Sequence, residues 1–329
     1  MNNDMQVKLD LFAENTLLIK REFTWHDALT KQMSALLYAQ AGKVADCDAI
    51  RRCLNLIKEE TGIFSVFRGN MALGVATMLS LSPDPRALFE KTMNVYGSLK
   101  SVKLYASDFL AVAAFLIAEK ADASGYVGVV NRMRDFYDAM KSRHFFYTGE
   151  DDYIFAAMLG LADLDPAAGT ECIEQLFERL KDEFWAKNSV QTLAQVLVLG
   201  GADVEAVNRV LLMRDALRAQ NIKLDKRYTL PVLGILALLP VETDVIVRDI
   251  GEAYAVLRDQ KGFGGLSVTS QELLLLAGSL VAGEYAKNIE DGVITAALST
   301  SIVNILIAQQ AAMLAAVSAS AAASSSSSS

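Results

Sequence analysis

One pattern recurs along this chain at intervals of about 40 residues: an amphipathic run that ends in Leu or Met followed by a basic residue. The apolar residues of each run recur at three- and four-residue steps, as on one face of an α-helix. The basic residue lies where a cation favours a helix C-terminus. The pattern therefore predicts a series of outer helices, each with one exposed face. Their ends are expected at Leu99-Lys100, Met140-Lys141, Leu180-Lys181, Leu217-Arg218 and Leu257-Arg258, and an earlier copy with isoleucine ends at Ile57-Lys58.

Between these runs lie segments that are apolar on nearly all sides and rich in small residues, such as YIFAAMLGLAD and TLPVLGILALL. A helix that is hydrophobic all round is a buried one, so each segment predicts an inner helix. No run alternates with period two over a useful length, which argues against a sheet. We therefore predict an all-α fold of about seven tandem α-hairpins of roughly 40 residues. The stack would form either an open α/α superhelix or a closed α/α toroid, and the sequence does not decide between them.

Turn and capping signals mark where these helices begin. Proline follows aspartate in SPDP and DLDP, just inside the predicted start of an outer helix, where its missing N–H costs least. Ser107, Asn188 and Thr269 occupy the corresponding place before inner helices and are expected to be N-caps.

We predict one α-hairpin domain over residues 1–288, a C-terminal apolar capping helix over 289–318, and a disordered Ala/Ser tail over 319–329. The uncharged stretch Val293–Val317 is long enough to cross a membrane. Its polar residues and the absence of an aromatic belt or basic flank favour a capping helix or a homo-oligomer contact instead, with a membrane anchor as the alternative.

Composition narrows the classes of function. A net charge of -8 and a pI near 5 argue against nucleic-acid binding, because nothing would neutralise a phosphate backbone. Three cysteines without a CxxC pair, and an N-terminus without signal-peptide features, indicate a reduced, cytoplasmic setting. Two distant histidines make a His-rich zinc site improbable. The histidine count does not exclude carboxylate sites for Mg²⁺ or Ca²⁺. We nevertheless expect no cofactor and no metal.

The segment KSRHFFYTGEDDY, residues 141–153, has the composition of an active site, but its position in the pattern is a loop between an outer and an inner helix. Its three carboxylates sit where a helix N-terminus favours negative charge. All loops of this class would lie along one rim of the stack, and loops on a rigid scaffold are where binding residues concentrate. The candidate ligand-binding residues in these loops are Trp25, His26, Arg68, Asn70, Arg143, His144, Asp151 and Asp152.

Two interpretations of that rim remain. Aligned helix N-termini beside Arg68 or Arg143 would suit an anionic group such as a carboxylate or phosphate. Alternatively, the aromatic residues merely plug the ends of the hairpins, as a hydrophobic staple does.

The stretches KEETGIFSVFRGN and SRHFFYTGEDDYIFAAML resemble a family of bacterial proteins, domain of unknown function 4003. The resemblance spans nearly the whole chain and implies a Gram-positive-type cytosolic protein without an assigned activity or ligand. Tyr147 stands where the family pattern leads us to expect an aliphatic residue. The residues that carry the resemblance are Thr61, Gly62, Phe64, Ser65, Arg68, His144, Thr148, Gly149 and Asp152.

Two functions are consistent with the sequence. The favoured one is a helical-repeat scaffold that binds a protein, a peptide or a small anionic ligand. The alternative is an α/α-toroid enzyme with an acid/base site on the rim, in which His144, Asp151 or Asp152 acts as acid or base. Carboxylate pairs can serve glycosidic chemistry, but nothing in the sequence sets their separation.

Overall fold

The computed structural model describes residues 2–69, 71–162, 164–202, 205–226, 228–263, 268–288, 305 and 307–316. In these residues the fold is all-α, without a strand. The outer helices are α1 (Asn3–Glu22), α3 (Cys47–Glu60), α5 (Pro85–Ser101), α7 (Tyr126–Arg143), α9 (Pro166–Leu180), α11 (Glu205–Ala219) and α13 (Thr243–Asp259). The inner helices are α2 (Ala28–Gln40), α4 (Ala72–Ser80), α6 (Asp108–Lys120), α8 (Tyr153–Leu161), α10 (Lys187–Leu199), α12 (Leu230–Leu238) and α14 (Ser270–Asn288). Short 3-10 turns lie at Val66–Arg68, Ala123–Gly125 and Glu150–Asp152.

Each outer helix packs against the inner helix that follows it, which confirms the predicted helical pairs. The six predicted helix ends all lie in the last turn or at the C-cap of an outer helix. In each, the apolar residue is buried, as Leu99 and Leu257 illustrate. The inner helices bury almost every residue, and α8 and α12 are the extreme cases. The core therefore lies between and among the inner helices.

The helix starts agree with the capping signals except at one position. Asp84 and Asp165 cap α5 and α9 with proline at the first helical position, and Ser107 caps α6 by accepting from the Leu110 N–H. Asn188 is the exception, because α10 begins one residue earlier and Ala186 precedes it. The Asn188 amide is therefore available for a contact outside its own helix.

The first and last helical pairs are in direct contact. Helix α14 packs against α1 and α2, and α13 packs against α1. Lys8 Nζ lies 2.7 Å from Glu284 Oε2, and both side chains are buried. Gln40 Nε2 donates to the Ser279 carbonyl at 2.8 Å. The two ends of the described helical series are thus joined by a buried ion pair and by hydrogen bonds.

Ile305 and residues 307–316 are helical and lie against helices that are far apart in the series. Leu314 packs on Gly74 of α4, whereas Gln309 Nε2 donates to the Tyr228 carbonyl before α12 at 3.4 Å. Among the described residues, no helix is long and apolar enough to cross a membrane. The rest of the predicted span Val293–Val317, and the predicted tail at 319–329, lie outside the described residues.

Candidate functional site

Asp152 anchors a buried polar network where α8 begins. Its Oδ1 accepts from Gln191 Nε2 at 3.0 Å and from Gln195 Nε2 at 2.9 Å, and its Oδ2 accepts from the Gly149 N–H at 2.9 Å. Thr148 is buried beside it and shares hydrogen bonds with Gln191. Two glutamines of α10 therefore tie the α7–α8 loop to the next helical pair.

Asp151 and Glu150 face a cavity of about 580 Å³ instead of this network. Asp151 Oδ2 accepts from Asn188 Nδ2 at 2.9 Å, which is the contact that the position of Asn188 inside α10 makes possible. Gly149 allows this arrangement, because a Cβ there would lie 2.7 Å from Asp151 Oδ1. We call this space the rim cavity; it is lined by Phe109, Glu150, Asp151, Phe155, Asn188, Ser189, Thr192, Tyr228, Pro231, Gln309, Ala312, Met313 and Ala316.

Burial shifts the pKa of the carboxyl groups around the rim cavity upward. It raises the pKa of Glu150, with a smaller contribution from the charge of Asp151, while a hydrogen bond from Ser107 acts in the opposite direction. Burial, with the charge of Asp151, raises the pKa of Asp152 to about 7. Burial alone raises the pKa of Asp108, next to the cavity residue Phe109, to about 6. Such groups concentrate at functional sites, although structural networks produce them too.

The N-terminal ends of the inner helices meet at this end of the fold, since the rim cavity is lined by the first residues of α6, α8, α10 and α12. The segments that join each outer helix to its inner helix therefore share this end, and we call them the rim loops. Within the described residues, six of the seven rim loops expose a large aromatic side chain. The most exposed are Trp25 (99%), Trp185 (97%), Phe64 (95%) and Phe146 (93%).

The predicted site residues do not gather in one pocket. His26 is half-buried near Phe23, and burial lowers its pKa. Arg68 donates to the Lys58 and Thr61 carbonyls and to Thr61 Oγ1, and so fastens its own loop. Asn70 lies outside the described residues.

Arg143 and His144 face α9 and not the rim cavity. Both Arg143 terminal nitrogens lie 3.1 Å from Glu171 Oε2. His144 Nε2 lies 2.7 Å from Glu174 Oε2, and its ring stacks 4.3 Å from that of Phe177. Of the seven predicted site residues that the structure describes, Asp151 is the one that lines the rim cavity, and Asp152 is the next residue in the chain.

The sequence analysis did not predict a role for Gln191 and Gln195 in the site. It predicted Asn188 as an N-cap, whereas Asn188 lies inside α10 and contacts Asp151. The sequence contained a signal, because Gln191 and Gln195 are four residues apart and so share one face of a predicted inner helix. The described residues contain no group of three His, Cys, Asp or Glu side chains placed to hold a metal ion.

Residues 16–312 match the family described as protein of unknown function, DUF4003. The chain belongs to this family. The match covers most of the helical pairs and extends into the C-terminal helical segment at 307–316. No curated protein and no solved structure matches the chain.

Proposed function

We propose that this DUF4003 protein is a binding scaffold whose helical pairs close into an α/α toroid. Its rim loops bind a protein partner by contacting a cationic segment of that partner. The contacts of α1 and α2 with α13 and α14 support closure, because an open superhelix leaves its terminal pairs apart. The segment 307–316 touches both α4 and the start of α12, which suits a position at the centre of such a ring.

The exposed aromatic side chains of the rim loops carry the proposal. Exposed aromatic rings gathered at one end of a protein mark interaction sites, and Trp and Tyr are enriched among the residues that dominate binding energy. Rings that plugged the hairpin ends would be buried, as Phe67 is against Phe89. Trp25, Phe64 and Trp185 instead extend into solvent.

The acidic lining of the rim cavity favours a positively charged segment on the partner. Its described lining contains Glu150 and Asp151 and no basic side chain. Arg68 and Arg143, which would have favoured an anion, are occupied by carbonyls and glutamates of their own chain. A lysine or arginine side chain that entered between Phe109, Phe155 and Tyr228 would meet carboxylates flanked by aromatic rings, a combination that attracts cations.

The test compares proteins captured from cells that naturally make this chain. The baits are wild type, a rim variant with Trp25, Phe64, Phe146 and Trp185 all changed to Ser, and a control variant with four exposed aliphatic residues of outer helices changed to Ser. These control positions are Val7, Leu17, Val127 and Leu212. A partner should be enriched on wild type and on the control, and lost from the rim variant.

The purified partner is then titrated by calorimetry. Trp185→Ala should weaken binding by about 2 kcal/mol, or roughly 30-fold in Kd. Glu150→Gln combined with Asp151→Asn should weaken it and reduce its dependence on salt. If the rim variant retains the same partners as wild type, the proposal is wrong.

One observation favours a second function, acid–base catalysis in the rim cavity: Glu150, whose pKa is raised, shares the cavity wall with Asp151. Incubation with a panel of oligosaccharides, followed by mass spectrometry, tests it. Turnover that disappears in Glu150→Gln would support catalysis. Turnover that persists in that variant would exclude Glu150 as the acid or base.

A further inference from the structure

A second cavity, of about 390 Å³, lies at the end of the fold opposite the rim loops, and we call it the opposite cavity. The C-terminal parts of α2, α4, α6 and α14 form its walls, together with the segment 307–316. Its lining is largely apolar and includes Leu37, Met78, Leu81, Phe115 and Ile307, but Gln40, Glu119 and Lys287 line it too.

Gln310 is the unusual feature of this wall. Gln310 is 1% exposed, and neither its Nε2 nor its Oε1 has a hydrogen-bond partner in the part of the chain that the structure describes. Leaving a buried donor or acceptor unpaired costs about 1–3 kcal/mol per group, and folded proteins avoid it almost everywhere. Two other glutamines are hydrogen-bonded, since Gln40 donates to the Ser279 carbonyl and Gln309 donates to the Tyr228 carbonyl.

We propose that the opposite cavity binds a small, uncharged and largely apolar molecule that carries a carboxamide group paired with Gln310. The Gln310 side chain presents a donor and an acceptor side by side, so a ligand amide with an N–H and a C=O satisfies both at once. A carboxylate would satisfy only the donor of Gln310 and would leave its acceptor unpaired.

The size of the opposite cavity is consistent with such a ligand. An apolar cavity of about 150 Å³ is sufficient to bind benzene. The opposite cavity is more than twice as large, so it has room for a ring or a short chain in addition to the amide. Its lining shares no residue with that of the rim cavity, so the inference does not depend on the proposed function.

The experiment measures binding of benzamide and toluene to the full chain by ligand-observed NMR titration. Toluene matches the benzamide ring but lacks the amide. Wild type should bind benzamide at least tenfold more tightly than toluene. In Gln310→Leu this preference should vanish while toluene still binds, because leucine keeps the apolar contacts and removes both unpaired polar atoms. Thermal unfolding of Gln310→Leu should show no loss of Tm for the same reason.

A further variant tests the location. Ala41 lines the opposite cavity at an exposed position, so Ala41→Phe should block both ligands without disturbing the core. Glu150→Gln, which changes the rim cavity, should leave both affinities unchanged. The proposal is overturned if wild type binds neither compound, if it binds them equally, or if the preference for benzamide survives in Gln310→Leu.

Discussion

Asp152→Asn tests how a buried carboxyl group makes the stability of this fold depend on pH. Burial and the charge of Asp151 raise the pKa of Asp152 from 3.8 to about 7, whereas in the unfolded chain the group ionises near pH 4. Between these values the folded state binds more protons than the unfolded state. The stabilisation is therefore fully present below pH 4 and is lost as the pH rises through 7.

The magnitude follows from the two pKa values. The free energy of unfolding of wild type should fall by at most about 4 kcal/mol between pH 4 and pH 8 through this group. The protonated Asp152 carboxyl has an acceptor for its proton, because Gln195 Oε1 is buried without a partner among the described residues and can turn towards Asp152. Asparagine can donate to the same oxygen at every pH, so Asp152→Asn should lack this loss.

Urea unfolding followed by circular dichroism at 222 nm measures the effect, because both tryptophans are exposed and would report little by fluorescence. Asp152→Ala serves as the contrast. It removes the acceptor shared by Gln191 and Gln195, and should lower stability by about 1–3 kcal/mol at every pH. If wild type and Asp152→Asn give parallel profiles from pH 4 to pH 8, the reasoning about Asp152 is refuted.

Two further predictions concern packing and closure, and both are measured as shifts of the urea midpoint. Gly160→Ala should lower the free energy of unfolding by about 1–3 kcal/mol, because the new Cβ would lie 2.9 Å from a backbone oxygen of α7. Gly97→Ala should instead raise it by about 0.5–1 kcal/mol, because no described atom lies within 4 Å of the new Cβ. Equal effects of the two changes would contradict this. Lys8→Met should lower the free energy of unfolding by about 3–5 kcal/mol, because it leaves Glu284 buried without its ion-pair partner Lys8. The double variant with Glu284→Leu should recover much of that loss. Retention of full stability by Lys8→Met alone would show that this pair does not hold the first and last helical pairs together.

The helices could be predicted because their causes are local. Leu99 and Leu257 are buried where the 3.6-residue period places them, and Asp84 caps its helix where the following proline indicates. The contact between Lys8 and Glu284 could not be predicted in this way, since 276 residues separate the partners and no periodicity links them. Whether the first and last pairs meet depends on the summed rotation between neighbouring pairs, which is a property of packing.

Only the parts of the candidate site that depend on local sequence could be predicted. The rim loops and Asp151 follow from the order of helices along the chain. The partners of Asp152 come from α10, so the network appears only when neighbouring pairs pack. The position of Gln309 in the rim cavity depends on where the C-terminal segment lies, which the local sequence does not specify.

The direction of the inner helices explains why the two cavities differ in chemistry. At the rim, helix N-termini converge, and their partial positive charge favours carboxylates such as Asp108 and Glu150 in or before the first turn. Glu150, together with Asp151, gives the rim cavity its negative lining. At the other end the inner helices line the opposite cavity with apolar side chains such as Met78 and Phe115. Its walls are therefore largely apolar, although Glu119 and Lys287 also line it, and the Gln310 amide has no hydrogen-bond partner among the described residues. If both proposals hold, a Glu150 variant should weaken cation binding at the rim cavity and a Gln310 variant should weaken amide binding at the opposite cavity, each without affecting the other.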